Sequence, residues 1–208
     1  MIGLREVVLG LLLHLPPWYG DATAETPVQR QDRIGVIAQA IDDASLRAVC
    51  GEDWAGSDLC TPVWFGERVD LAMLLVTLGW WESRFARYVH AGAPGAGGAL
   101  TPWQLEHGEH LPWQRWRALP GLKVVPTTEA AWEASRAISL GMGHCGTVRG
   151  AISLYATGQS CSWSGADRRL RTYVHLRSRA EQLRHAARVR HLPSPGHGPA
   201  KARRRGGG

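Results

Sequence analysis

The chain has 208 residues, with 24 Lys and Arg against 18 Asp and Glu, and therefore a formal charge of +6. The excess is confined to one end, because residues 168–208 hold 12 basic residues and one acid, whereas residues 1–167 hold 12 basic and 17 acidic residues. This distribution argues against a nucleic-acid-binding protein built around the main part of the chain. The chain also lacks the run of about 18 apolar residues that a transmembrane helix needs.

The first 24 residues have two interpretations. Arg5, the apolar residues 7–15 and an A-x-A pattern at residues 22–24 are typical of a signal peptide. Glu6 and His14 depart from that pattern, and the apolar residues recur at helical steps, at Leu4, Val8, Leu11 and Leu15. The segment is therefore either a signal peptide or the first helix of the domain, and both interpretations stay open.

Apolar residues at steps of three and four, together with capping residues, predict a mainly α-helical fold. The Gly-rich residues 91–99 lack the Lys and Ser or Thr of a phosphate loop, so they are predicted to form a surface loop with at most a small β-hairpin. Residues 25–165 are expected to form the main domain, 166–190 a basic helix that extends it, and 191–208 a disordered basic tail. Helices are predicted at residues 30–49, 67–85, 147–157 and 166–190, with Gly158 ending the helix at 147–157. A further helix is predicted to begin at residue 127 and to end at residue 141 or 143.

The four cysteines allow three disulfide pairings. Cys50–Cys60 and Cys145–Cys161 are favoured, because each pair would close a short loop. The alternative is four reduced cysteines that fill the core as small hydrophobic residues. Disulfides would place the protein outside the cytoplasm.

A carboxylate lies on the apolar side of the helix predicted at residues 67–85. Glu82 continues a stripe of apolar residues at helical spacing, formed by Leu71, Leu75, Leu78 and Phe85. Burial without a cation favours the protonated form of a carboxylic acid, which a glycosidase needs to protonate the leaving oxygen. The alternative is a Glu at a frayed helix end, turned to solvent or paired with Arg84 or Arg87.

Three short motifs resemble those of the lysozyme-like lytic transglycosylases, the superfamily that includes goose-type lysozymes. Residues 80–85 (WWESRF) resemble the E-S-x-F motif, residues 99–104 (ALTPWQ) the G-L-x-Q motif, and residues 154–158 (LYATG) the A-Y-N-x-G motif. They occur in the family's order, with 22 residues from Glu82 to Gln104 and 51 from Gln104 to Tyr155. Two positions depart from the family: Thr101 or Pro102 stands near the place of the second motif's Gly, and Ala156 replaces the third motif's Asn.

The resemblance implies a lysozyme-like fold and cleavage of the β-1,4 bond between N-acetylmuramic acid and N-acetylglucosamine in peptidoglycan. Glu82 is expected to be the catalytic acid/base, while Ser83, Gln104 and Tyr155 contact substrate or shape the cleft. The chain has ten Trp against two Phe, and indole rings stack well on sugars, although they also fill cores. Trp103 is therefore expected to bind substrate, with Trp113 and Trp116 as further candidates for the cleft.

No cofactor or metal is expected. His107 and His110 are three residues apart, but they lie in a Pro-flanked loop without a compelling third ligand. The expected partner is the glycan strand of peptidoglycan, with an anionic wall polymer or membrane surface for the Arg-rich C-terminus and no specific nucleic acid. The expected location is periplasmic, secreted or phage-associated. A non-catalytic glycan- or anion-binding module with the same fold is the alternative function.

Overall fold

The structure, a computed structural model, describes residues 2–17, 24–49, 63–91, 101–105 and 127–190. Of these residues 78% are helical and none forms a strand, which confirms the mainly α prediction. Within the described ranges, no helix has the length and apolar content to cross a membrane. The helices are α1 (Leu4–His14), α2 (Pro27–Val49), α3 (Arg68–Ser83), α4 (Arg87–His90), α5 (Thr127–Cys145), α6 (Val148–Thr157) and α7 (Ala166–Arg190).

Helix α3 is the central element of the core. Twelve of its sixteen residues are buried, which is typical of a helix surrounded by other elements rather than one lying on a surface. It packs against α1, α2, α5 and α7. The one hydroxyl that is fully buried within it, on Thr77, donates to the carbonyl of Met73 at 2.7 Å. The last turn of this buried helix carries Glu82 to the edge of the core.

Helix α1 packs on the core through the apolar residues that suggested a helix in the sequence. Its buried residues are Val7, Val8, Leu11 and Leu12. From α2, the guanidinium of Arg30 donates to the carbonyls of Leu13 at 3.2 Å and Leu15 at 2.8 Å. Carbonyls at a helix C-terminus have no partner within the helix, so Arg30 satisfies groups that would otherwise be left over.

A disulfide between Cys145 and Cys161 joins the end of α5 to the loop after α6, as predicted. Gly158 ends α6 in the left-handed conformation, with φ 67°, and Thr147 caps its start by accepting from the amide of Gly150 at 3.0 Å. The other predicted pair, Cys50–Cys60, lies outside the described residues. So do the Gly-rich stretch after Ala91, with its predicted hairpin, and the tail from residue 191.

Helix α7, predicted as a basic extension, shares the core of the main domain. Its Leu176 and Ala180 are buried in the same cluster as α3. Among the hydrogen bonds that hold it to α3, the indole of Trp81 donates to Thr172 at 3.1 Å, and the hydroxyl of Tyr173 donates to Asp70 at 3.2 Å. Because Trp81 lies in the last turn of α3 and Asp70 in its first turn, α7 lies along the length of α3.

Candidate functional site

Glu82 lies in the last turn of α3 and forms an ion pair with Arg169 of α7. The two side chains are 19% and 11% exposed, so the pair is mostly buried. The sequence pattern favoured a Glu82 that is buried without a cation. In the structure, the guanidinium of Arg169 is in direct contact with it. A nearby positive charge favours the ionised form of a carboxyl group. Sequence reasoning missed Arg169.

Ser83 joins the end of α3 to the turn at residues 101–105. Its hydroxyl oxygen lies 2.7 Å from the carbonyl of Pro102 and 3.2 Å from that of Gly79. A hydroxyl has one hydrogen to donate, and the shorter contact to Pro102 is the stronger bond. The same oxygen accepts from the amide of Phe85 at 3.1 Å. Ser83, buried and fully engaged, therefore fixes the turn that follows Glu82.

Trp103 has no exposed surface and lies in the core beside α3. Its indole N–H donates to the carbonyl of Leu75 at 2.9 Å, and its ring meets the ring of Phe85 edge to face, with centroids 6.3 Å apart. A ring enclosed in this way offers no face to a sugar. In the structure Trp103 therefore anchors the turn, and the stacking expected of it does not fit this placement. Trp113 and Trp116 lie outside the described residues.

Gln104 and Tyr155 complete the set of predicted residues. Gln104 is half-buried, and its side-chain amide donates to the carbonyl of Thr101 at 3.0 Å. The hydroxyl of Tyr155, in α6, donates to the carbonyl of Trp103 at 2.8 Å. Burial raises the pKa of Tyr155 well above its usual value, and the charge of Glu82 adds to this while Arg169 opposes it. Tyr155 is therefore a neutral donor within electrostatic reach of Glu82.

Backbone strain is concentrated around the same residues. In the described part of the chain, every non-glycine residue with positive φ lies in one of two segments: Arg84 at 56° and Phe85 at 50°, or Thr101 at 71° and Gln104 at 49°. Each such residue costs on the order of 1–3 kcal/mol and persists only where its surroundings enforce it, often at functional sites. The two segments meet at the Ser83–Pro102 hydrogen bond.

The arginines Arg84 and Arg169, which lie close to Glu82, each contact an aromatic ring. The guanidinium of Arg84 lies 4.4 Å from the ring centroid of Trp80, and that of Arg169 lies 5.2 Å from the ring centroid of Trp163. Trp163 is 38% exposed, so it offers the accessible indole surface that Trp103 does not. No sequence motif singles out Trp163.

The structure brings described residues of all three motif segments together. Among the described residues there is no group of three or more His, Cys, Asp or Glu that could hold a metal ion, and His107 and His110 lie outside them. No protein-family model, curated protein or solved structure matches the chain. What the site can do is therefore inferred from its own residues.

Proposed function

We propose that this chain is a peptidoglycan-cleaving glycosidase with a lysozyme-like fold, a lytic transglycosylase or lysozyme that uses Glu82 as its single acid/base. The observation that carries the proposal is the convergence of three motifs that are far apart in sequence. Ser83, next to Glu82, is bonded to Pro102 at 2.7 Å, and Tyr155 is bonded to Trp103 at 2.8 Å. These contacts between segments that are distant in sequence support the proposal that the three motifs contribute to one site.

The proposed reaction begins with the transfer of a proton from Glu82 to the glycosidic oxygen between N-acetylmuramic acid and N-acetylglucosamine. The substrate's N-acetyl group stabilises the developing positive charge, so no second carboxylate is needed. The Glu82 carboxylate then removes a proton either from the sugar's C6 hydroxyl, which gives a 1,6-anhydro product, or from water, which gives a hydrolysed one. Proton transfer by a positioned acid/base is typically worth about 10²–10⁴-fold in rate.

The test is Glu82→Gln, assayed by zymogram and turbidity loss on peptidoglycan. We expect lytic activity to fall by about 10²-fold or more, with helicity and melting temperature close to wild type. Glu67→Gln is a matched control, because Glu67 precedes the same helix and is 69% exposed, about 22 Å from Glu82 at 1.5 Å per residue. A folded Glu82→Gln protein with full activity would refute the assignment. Mass spectrometry of the released fragments separates anhydro from hydrolysed ends.

The Glu82–Arg169 pair favours a second candidate, a non-catalytic glycan- or anion-binding module. A carboxylate held by a guanidinium is a charged acceptor rather than an acid, and such pairs also occur as purely structural contacts. This alternative predicts that wild-type protein sediments with peptidoglycan but releases no fragments, and that Glu82→Gln leaves sedimentation unchanged. The enzyme proposal predicts fragments from wild type alone.

An electrostatic role for the C-terminus belongs to the same proposal. Arg168, Arg171 and Arg179 of α7 are exposed, and a cluster of positive charge attracts anionic wall polymers or membrane surfaces. Removing α7 would strip Leu176 from the core, so the test is Arg168→Gln, Arg171→Gln and Arg179→Gln combined. Binding to cell walls at low salt should weaken, and unchanged binding would contradict the attraction. The Cys145–Cys161 disulfide supports an extracytoplasmic or phage-associated location.

A further inference from the structure

We propose that Arg169 is a positioning residue that fixes the Glu82 carboxyl group at the end of α3 through a mostly buried ion pair, and so lowers the upper pH limit at which Glu82 can act as the proton donor. The inference rests on the proposed role of Glu82 as acid/base. It adds a residue from α7, outside all three motifs, to the machinery of that site.

Arg169 and Glu82 are in direct contact. A guanidinium nitrogen of Arg169 donates to Oε1 of Glu82, and both side chains are more than four-fifths buried. Salt screens a buried pair much less than a pair on the surface. The Arg169 guanidinium also stacks over Trp163, so its position is restrained by an aromatic ring as well as by the carboxylate. The geometry is that of a fixed contact rather than of two mobile surface charges.

Residues on both sides of Arg169 in α7 form hydrogen bonds or ion pairs with neighbouring helices. Three residues along α7, Thr172 accepts from Trp81 of α3, and Tyr173 is bonded to Asp70. Just before Arg169, Asp167 forms an ion pair with Arg149 of α6 at 2.6 Å. These contacts hold the backbone of α7 at Arg169 in place relative to α3 and α6, as a positioning residue requires. Separation of Glu82 from Arg169 would take rotation of a side chain, not departure of the helix.

The described groups near this ion pair are a neutral phenol, further guanidinium groups and apolar side chains. Tyr155 of α6 is neutral, and Arg84, two residues after Glu82, adds positive charge. From α2, Arg33 is engaged by Glu25 and by the carbonyl of Phe85. The residues that α1 and α5 bury are apolar or small, with Ser135 the polar member. Among these described residues the charge added beside Glu82 is positive, which favours the carboxylate form.

The test compares Arg169→Met and Arg169→Lys with wild type in the full chain. The ¹³C signal of the Glu82 carboxyl, followed against pH, should show a higher ionisation midpoint in Arg169→Met than in wild type, because a neighbouring guanidinium favours the carboxylate. The alkaline limb of the pH–activity profile should move upward with it. Arg169→Lys keeps the charge without the planar fork, so both readouts should lie between those of the other two proteins. Arg136→Met should change neither, because the Arg136 side chain is 42% exposed and pairs with Glu133 within α5.

The outcomes separate this inference from the proposed function. An unchanged carboxyl midpoint in folded Arg169→Met, or in Arg169→Lys where the Met variant does not fold, overturns the role of Arg169 even if the protein is lytic. A raised midpoint supports that role, and it does so whether or not wild type cleaves peptidoglycan. Absence of lytic activity from wild type, with the midpoint shift present, would count against the proposed function alone.

Discussion

The ring of Phe85 occupies the space that a side chain on Gly79 would need. A Cβ placed on Gly79 would lie 2.3 Å from Cε1 of Phe85 and 3.2 Å from the indole nitrogen of Trp103. The absence of a side chain one turn before Glu82 therefore lets two aromatic rings close over α3. Because those rings belong to the turn after Glu82 and to the 101–105 turn, the packing at Gly79 supports the whole candidate site.

Gly79→Ala should destabilise the protein by about 1–3 kcal/mol, because the added methyl group forces a buried ring to move. Chemical denaturation measures the loss, and lytic activity should fall in parallel. Gly35→Ala is the matched control: Gly35 lies within α2 with nothing within 4 Å of an added Cβ. That variant should gain about 0.5–1 kcal/mol from helix propensity. Equal stability changes in the two variants would contradict the packing argument.

Thr101→Gly should stabilise the protein. Thr101 has φ 71°, an uncommon conformation for a β-branched residue, and among the described residues its buried hydroxyl has no hydrogen-bond partner. Glycine adopts this conformation without strain, and the gain should exceed the roughly 0.5–1 kcal/mol that glycine costs in backbone entropy. We expect a net gain of about 1 kcal/mol in denaturant unfolding.

Thr101→Ala provides the comparison for that variant. It removes the hydroxyl and the branch but keeps a Cβ at positive φ, so its stability should lie between those of wild type and Thr101→Gly. If the glycine variant were the least stable of the three, strain at Thr101 would not be the cause. The position is also near the place of the Gly in the motif that this segment resembles.

Replacing both Cys145 and Cys161 by Ser should cost about 3 kcal/mol in the chain-entropy model of a loop of this size, given the 16-residue separation. Thermal and denaturant unfolding measure the loss. Reductant should lower the stability of wild type more than that of the double variant. Equal sensitivity of the two proteins to reductant would show that this disulfide contributes nothing.

His90 should make the fold less stable in mild acid. Burial lowers the pKa of His90 below its usual 6.5, an effect that Arg33 adds to and Glu25 opposes, and its Nε2 lies 2.9 Å from Oγ1 of Thr127. Folding favours the neutral ring, so its contribution is complete above about pH 6.5 and is lost as the pH falls through the folded-state value. Melting temperatures between about pH 8 and pH 5 should therefore drop less in His90→Gln than in wild type. If the melting temperatures of the two proteins fell equally with pH, His90 would not be the cause of the acid sensitivity.

The helix boundaries could largely be predicted because capping residues mark them. Gly158 ends α6 where it was expected, and α7 has the predicted limits. Helix α2 begins three residues before the prediction, because Thr26 and Gln29 form a reciprocal capping box with a proline at the first helical position. The residues of this capping box and the proline can be recognised in the sequence. Helix α4 has four residues, too few for any periodicity to show.

The partner of Glu82 illustrates a different limit. Arg169 continues a stripe at helical spacing with Tyr173, Leu176 and Ala180, as Glu82 does with the apolar residues of α3. Each stripe alone predicts a charged residue facing the core. The two residues are 87 positions apart, and only the packing of α7 against α3 pairs them. Nothing in the sequence distinguishes the arginines of α7 that lie against α3, such as Arg169 and Arg177, from those that face solvent.

Trp103 could not be assigned correctly from residue type. An indole suits both a sugar-binding cleft and a hydrophobic core, since each rewards a large apolar face with one polar edge. Its N–H bond to Leu75 and its complete burial depend on the turn at residues 101–105 folding back on α3.

The attachment of Arg169 to α7 has a consequence for the order in which the molecule is made. During synthesis from the N-terminus, α3 and Glu82 emerge well before α7. Until α7 docks, Glu82 lacks this guanidinium, and the core lacks Leu176. A nascent chain that ends before α7 therefore has the carboxylate without the group that holds it, and the site matures only once the late helix has been produced.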